Sequence, residues 1–138
     1  MTYLDCNVFL CGVLFDDAKA AYCRETLTRV ASGALPALTS VLTWDEFVYV
    51  LQRLRGRDIA QAQGAMFLRL PNLRLVSADL AVVVKAQSLV ETSRLKPRDA
   101  IHAATALLQH ATEFISDDAD FDGIAGIVRV PLSPRSRA

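Results

Sequence analysis

Five short apolar stretches, each separated from the next by a long connection, are the feature that most restricts how this chain can fold. They are Tyr3-Leu4, Ala37-Leu38-Thr39, Leu73 to Val76, Glu113-Phe114-Ile115-Ser116 and Ile127-Val128-Arg129-Val130. Strands joined by long connections pair in parallel, and the crossovers then cover the sheet. The intervening sequence reads as helix. One helix runs through Val8 to Leu14, and Asp16-Asp17 starts a second that Gly33 ends. Ser40 caps a third to about Arg55, stopped by Gly56, and Asp58 opens a fourth to about Arg69, ahead of Pro71. Ser77 caps a long helix to about Ser93, with Asp79 in its first turn, and Lys96-Pro97 begins a last one to about His110. The expected architecture is a three-layer α/β/α sandwich around a parallel sheet. It forms one domain over residues 1–132, followed by a polar tail at 133–138.

Composition suits that reading. Of 138 residues, 52% are hydrophobic and 22% charged, enough for a packed core and too apolar for a disordered chain. No apolar run approaches the ~20 residues of a membrane helix; Ala81-Val82-Val83-Val84 ends at Lys85. Asp5 stands where a signal peptide would carry basic residues and then an apolar run, so a cytoplasmic location without membrane contact is expected. Cys6, Cys11 and Cys23 are odd in number and include no Cys-x-x-Cys pair, which predicts buried thiols rather than a disulfide framework or a zinc site. Fifteen basic and fifteen acidic residues cancel. That balance excludes a protein that coats nucleic acid by bulk charge, but not an enzyme that grips a few phosphates.

The acids are unevenly placed. Asp117, Asp118, Asp120 and Asp122 crowd the segment after the fourth strand, and Asp5 ends the first. Ligands of open parallel sheets bind beyond the carboxyl ends of the strands, so adjacent strand ends bring Asp5 and Asp118 together. Asp99 follows Pro97 in the first turn of a helix whose amino end points at the same rim, although the helix dipole alone also favours an acid there. Glu46 lies in the apolar run from Val41 to Leu51, with Leu42, Tyr49 and Val50 one turn away. A carboxylate there is costly to desolvate unless it is paired or bound to metal. Periodicity does not choose between Glu46 and Asp45. Ionised carboxylates in one cleft repel by about 4 kcal/mol per pair at roughly 4 Å and an effective dielectric near ~20, so the cluster needs a cation or protons. Oxygen ligands without histidine or cysteine select Mg²⁺ or Mn²⁺, ions that serve phosphodiester cleavage.

Taken in order, these residues resemble the PIN-domain family. Tyr3-Leu4-Asp5-Cys6-Asn7-Val8-Phe9-Leu10 is similar to its opening, a strand that ends in aspartate. Thr39-Ser40-Val41-Leu42 leading to Glu46-Phe47 resembles the second motif and favours Glu46 over Asp45. Leu95 to Ala104, with Pro97-Arg98-Asp99-Ala100-Ile101-His102 at its centre, is similar to the third. Ile115 to Asp122 resembles the fourth, in which the acid two residues before Asp-Phe is the usual ligand; that points to Asp118, with Asp120 as accessory acid. Two departures stand out: Cys6 replaces a common threonine or serine, and Asp117 adds an acid beside Asp118. In size and pattern the chain is most similar to VapC-like toxins of toxin–antitoxin pairs.

The resemblance implies a metal-dependent endoribonuclease that uses Mg²⁺ or Mn²⁺ and leaves a 5′-phosphate and a 3′-hydroxyl. It implies Asp5, Asp99, Asp118 and Glu46 as catalytic and metal-binding residues, with Asp120 as a further metal ligand. It also implies an RNA substrate, a homodimer and a cognate antitoxin whose tail blocks the cleft. Asn7 is a hydrogen-bonding candidate near Asp5. Arg53, Arg55, Lys96 and Arg98 are candidate phosphate contacts; His102, one turn after Asp99, is placed either to face the cleft or, as the preferred reading, to pack as an ordinary histidine; and Trp44, Phe47 and Tyr49 suggest a helix buried on two sides. A housekeeping RNA-processing nuclease and a silent scaffold are the alternatives on the same fold. An aspartyl-phosphatase reading fails on Asp5-Cys6-Asn7, which lacks the second aspartate two residues on.

Overall fold

The computed structural model describes residues 1–133; apart from Ser133, the polar tail expected at 133–138 lies outside the described residues. Strands β1 (Thr2–Leu4), β2 (Ala37–Ser40), β3 (Leu73–Val76), β4 (Glu113–Ile115) and β5 (Val128–Val130) form one sheet in the order β3-β2-β1-β4-β5. Every pairing is parallel. Six helices connect them: α1 (Cys6–Leu14), α2 (Ala18–Ala31), α3 (Leu42–Arg55), α4 (Arg57–Leu68), α5 (Leu80–Thr92) and α6 (Pro97–Leu108).

Side chains alternate across a strand with period two, and that alternation divides the core into two. Tyr3, Leu38 and Phe114 pack on α5 and α6, against Val82, Leu89, Ala100 and Ala103. Leu4, Ala37, Ile115 and Val130 face the other way, toward Phe9, Val30, Phe47, Leu51 and Phe67 of α1 to α4. The result is the three-layer α/β/α sandwich. Cys6, Cys11 and Cys23 are free thiols buried in the second of these cores, as expected. Among the described residues no helix is long and apolar enough to cross a membrane.

Several boundaries differ locally from expectation. The Asp79 carboxylate, not Ser77, caps α5 by accepting from the Val82 N–H at 3.1 Å. Helix α1 begins at Cys6 because Asp5 caps it. Ser40 does accept from the Leu42 N–H at 3.1 Å, but the backbone is already helical at Val41, which is therefore the boundary residue of α3. Gly56, at φ +90°, separates α3 from α4, a conformation that L side chains rarely adopt, and Asp58 falls in the first turn of α4. The β4–β5 crossover contains only a 3-10 turn at Ala119–Phe121. Asp79→Ala is expected to lower unfolding free energy by about 1 kcal/mol in urea titration, since one amide at the α5 terminus loses its partner.

The strand order fixes where a ligand can sit. The chain builds outward from β1 through β2 to β3, then returns to add β4 on the other side of β1. The crevice beyond the carboxyl ends of β1 and β4 is thus the point at which the topology switches direction. Leu4 is in register with Ile115, which sets Asp5 level with Ser116.

Candidate active site

Asp5 and Ser116 tie the two strand ends together. The Asp5 N–H donates to the Ile115 carbonyl at 3.1 Å. Its Oδ1 accepts from the Cys6 N–H at 2.8 Å, and its Oδ2 accepts from the Ser116 hydroxyl at 2.6 Å. Ser116 Oγ in turn accepts from the Asp118 N–H at 3.0 Å and from Asn7 Nδ2 at 3.4 Å. Asp118 caps the 3-10 turn, taking the Asp120 N–H on Oδ1 at 2.9 Å. A carboxylate has about four acceptor sites, so these capping bonds leave lone pairs free on both Asp5 and Asp118.

Asp99 arrives from the amino end of α6, where Pro97 suits the first helical position. One oxygen from each of Asp99, Asp118 and Asp120 lies within 4.8 Å of the others. The three form an all-carboxylate group, a donor set that fits a hard divalent cation such as Mg²⁺ or Mn²⁺ and not a soft one.

Glu46 reaches the same crevice from α3, while its neighbour Asp45 is exposed to solvent. Glu46 Oε1 is bonded to Nε2 of His102, which also lies 3.9 Å from Asp5 Oδ1. His102 is fully buried, and its Nδ1 is 2.5 Å from the Tyr3 hydroxyl, which accepts from the Ser40 N–H at 3.1 Å. The ordinary packed histidine expected from sequence is instead a fully bonded one, linked to two of the predicted acids.

Electrostatics show that these groups sense one another. Burial, reinforced by the charges of Asp118, Asp5 and Glu46 against the opposing His102, raises the Asp99 carboxyl from 3.8 to about 6. Burial also raises Asp5 above the usual carboxylate range, against the pull of His102, Ser116 and the Cys6 amide. For His102, burial opposes the charged ring, but Tyr3, Glu46 and Asp5 outweigh it and raise its pKa well above the ordinary histidine value. The crevice is therefore a region of unbalanced negative charge.

The crowded acids after β4 divide into two kinds. Asp117 pairs with Lys19 at 2.5 Å and accepts from the Leu132 N–H at 2.8 Å; against the cost of burial, these partners hold it below the usual range. Asp122 is clamped by Arg129 at 2.7 Å. Asp118 and Asp120 turn the other way, to Asp99. Lys96 and Arg98 are exposed next to Asp99, whereas Arg53 and Arg55 lie at the far end of α3. Arg55 donates to the Leu14 carbonyl at 3.2 Å, and Arg53 sits over the Tyr49 ring. Sequence reading missed Ser116 and Tyr3. For Ser116 a signal existed, a hydroxyl at the strand end just before the acids.

Comparison with known proteins agrees with this geometry. The PIN-domain family model matches residues 2–127, and no curated protein matches the chain. Mycobacterium tuberculosis VapC20, a Sarcin-Ricin loop cleaving toxin, has a similar structure, with a TM-score of 0.75 and 19% identity over 94% of this chain and 98% of that one. VapBC2 from Rickettsia felis, bound to a DNA fragment from its promoter, has a TM-score of 0.73 and 14% identity over 95% and 98%. A toxin–antitoxin complex from Klebsiella pneumoniae has a TM-score of 0.68 and 21% identity over 93% and 96%. The family match runs from β1 to the residue before β5 and takes in every acid of the crevice: the chain belongs to the PIN-domain family.

Proposed function

We propose that the protein is a Mg²⁺- or Mn²⁺-dependent endoribonuclease, the toxin of a toxin–antitoxin pair acting in the cytoplasm. The observation that carries this is the group formed by Asp99, Asp118 and Asp120 at the topological switch point, with Asp5 and Glu46 beside it; among the described residues no lysine or arginine pairs with any of them. Asp5, Asp99 and Asp118 would hold the cation, with Glu46 and Asp120 completing its surroundings. When bound, such an ion lowers the pKa of water and neutralises charge on the leaving oxygen. Lys96 and Arg98, exposed beside Asp99, would draw the phosphate backbone to the rim. Ser116 and the Cys6 N–H fix the Asp5 carboxylate at the end of β1 and leave further lone pairs for a cation.

The structural relatives support the toxin role and an antitoxin partner, since several are VapC toxins or toxin–antitoxin complexes. A homodimer is supported by apolar side chains left exposed near the β3 edge, with Val41 at 42% and Trp44 at 39% beside a groove that reaches Leu68 and Leu75. Phe47, by contrast, is buried in the core.

The test is incubation of purified protein with a mixed, structured RNA in Mg²⁺ or Mn²⁺, against EDTA. Metal-dependent fragments with 5′-phosphate ends are expected; cleavage undiminished by EDTA would refute the reading. Induced expression without the antitoxin should arrest growth, and Asp5→Asn should abolish the arrest. The two neighbouring acids separate in the same assay. Asp117→Asn should change the rate by no more than about threefold, whereas Asp118→Asn should lower it by about a hundredfold, as loss of one well-placed charge does.

A further inference from the structure

We propose that His102 is a positioning residue of the acid crevice, holding Glu46 inward through its Nε2–H and anchoring it, through Tyr3, to the backbone of β2. The inference rests on the metal-binding reading of the crevice. His102 lies one turn after Asp99 on α6, so a single helix delivers one cleft acid and the holder of another acid that comes from α3.

Packing alone does not call for an imidazole at this position. Helix α6 buries mainly small side chains, Ala100, Ala103, Ala104 and Ala106, all of them fully buried. A polar ring buried there is costly unless both nitrogens are bonded, and both are. The chain of bonds begins at a fixed point. The Ser40 N–H, at the end of β2, donates to Tyr3 Oη. Tyr3 is held by stacking on Phe114, with centroids 4.7 Å apart and planes 12° apart, and meets His102 at 2.5 Å. His102 Nε2–H then donates to Glu46. That donation is the same whether Nδ1 accepts the tyrosine proton or carries one of its own.

Glu46 needs such a hold. Its side chain is 21% exposed at the rim, and Asp5, which shares the same Nε2 at 3.9 Å, repels it. Without the histidine, like-charge repulsion and hydration both favour swinging Glu46 out to solvent. With it, the carboxylate stays in place before any cation arrives, so less ordering remains to be done on binding.

Mn²⁺ titration of the full chain, with free Mn²⁺ read from its electron paramagnetic resonance signal, tests this. His102→Leu should weaken Mn²⁺ binding by about tenfold or more, as loss of an outer hydrogen-bond partner does. His102→Gln, whose amide can occupy the Nε2 position, should recover most of the loss. In a Glu46→Gln background His102→Leu should cost less than about a further twofold, because residues that act through one another are not additive. Full, independent loss in that background would mean a merely structural role and overturn the inference, as would undiminished binding by His102→Leu. Should His102→Leu fail to fold, Tyr3→Phe replaces it: weaker binding supports the relay and unchanged binding overturns it. A wild-type protein that binds no Mn²⁺ would instead overturn the metal-dependent reading, and this inference with it.

Discussion

Replacing Asp99 with asparagine is expected to reduce metal-dependent RNA cleavage by about two to three orders of magnitude while raising the melting temperature of the metal-free protein. The two effects share one cause. Asp99 sits where burial and the charges of Asp118, Asp5 and Glu46 oppose its ionisation. Asparagine keeps the shape, removes the charge needed to hold a cation, and relieves repulsion in its absence. The pH dependence follows from the direction of the shift. The folded-state pKa of about 6 lies above the ordinary 3.8, so the native protein binds this proton more tightly than the unfolded chain. Ionised Asp99 therefore opposes folding above about pH 6, and that cost is relieved as the pH falls from about 6 toward about 4. The group is partly exposed, so solvent screening keeps the effect modest. Thermal unfolding in EDTA at a series of pH values should show the wild type gaining on Asp99→Asn as the solution is acidified through that window. A lower melting temperature for Asp99→Asn at neutral pH would mean that the acid is structurally paired.

Phe114→Ala should be the most destabilising substitution in the sheet, at about 3 to 5 kcal/mol in urea unfolding. Phe114 is fully buried in β4, stacked on Tyr3 and 4.3 Å from the Phe121 ring by centroids. The cavity left by alanine would lie beneath both halves of the crevice. Tyr3 carries the relay to His102 and Glu46, and Phe121 anchors the 3-10 turn that presents Asp118 and Asp120. Weaker Mn²⁺ binding should therefore accompany the loss of stability, although Phe114 itself carries no ligand atom. Phe114→Leu, which keeps most of the volume, should cost markedly less on both measures. A loss below about 1 kcal/mol for the alanine variant would show that the surrounding rings collapse to fill the space.

Much of this was legible in the sequence, because its signals are local. Apolar runs mark the strands, Pro97 and Gly56 mark helix ends, and strand-end acids at Asp5 and Asp118 imply a shared rim once the strands are parallel. Ser77 reads as the cap of α5 from sequence, yet Asp79, two residues on, is the one placed to accept from the Val82 N–H. What sequence could not supply were partners far apart in the chain. Neither Tyr3 nor Glu46 announces a bond to His102, and Ser116 lies at the opposite end of the chain from the Asp5 it holds. The fourth motif points to Asp118 over Asp117 but does not show what Asp117 does; Lys19, on α2, and the Leu132 N–H hold it, and both are distant in sequence. Periodicity does not separate Asp45 from Glu46; the motif favours Glu46, and it is Glu46 that α3 turns to His102.

The measurement that most directly tests whether the carboxylates at the switch point form a metal site is a calorimetric Mn²⁺ titration at neutral pH, comparing the wild type with Asp118→Asn. Saturable binding by the wild type, weakened about tenfold or more by the substitution, is the predicted result. Binding that Asp118→Asn leaves unchanged, or no binding by the wild type, would contradict it.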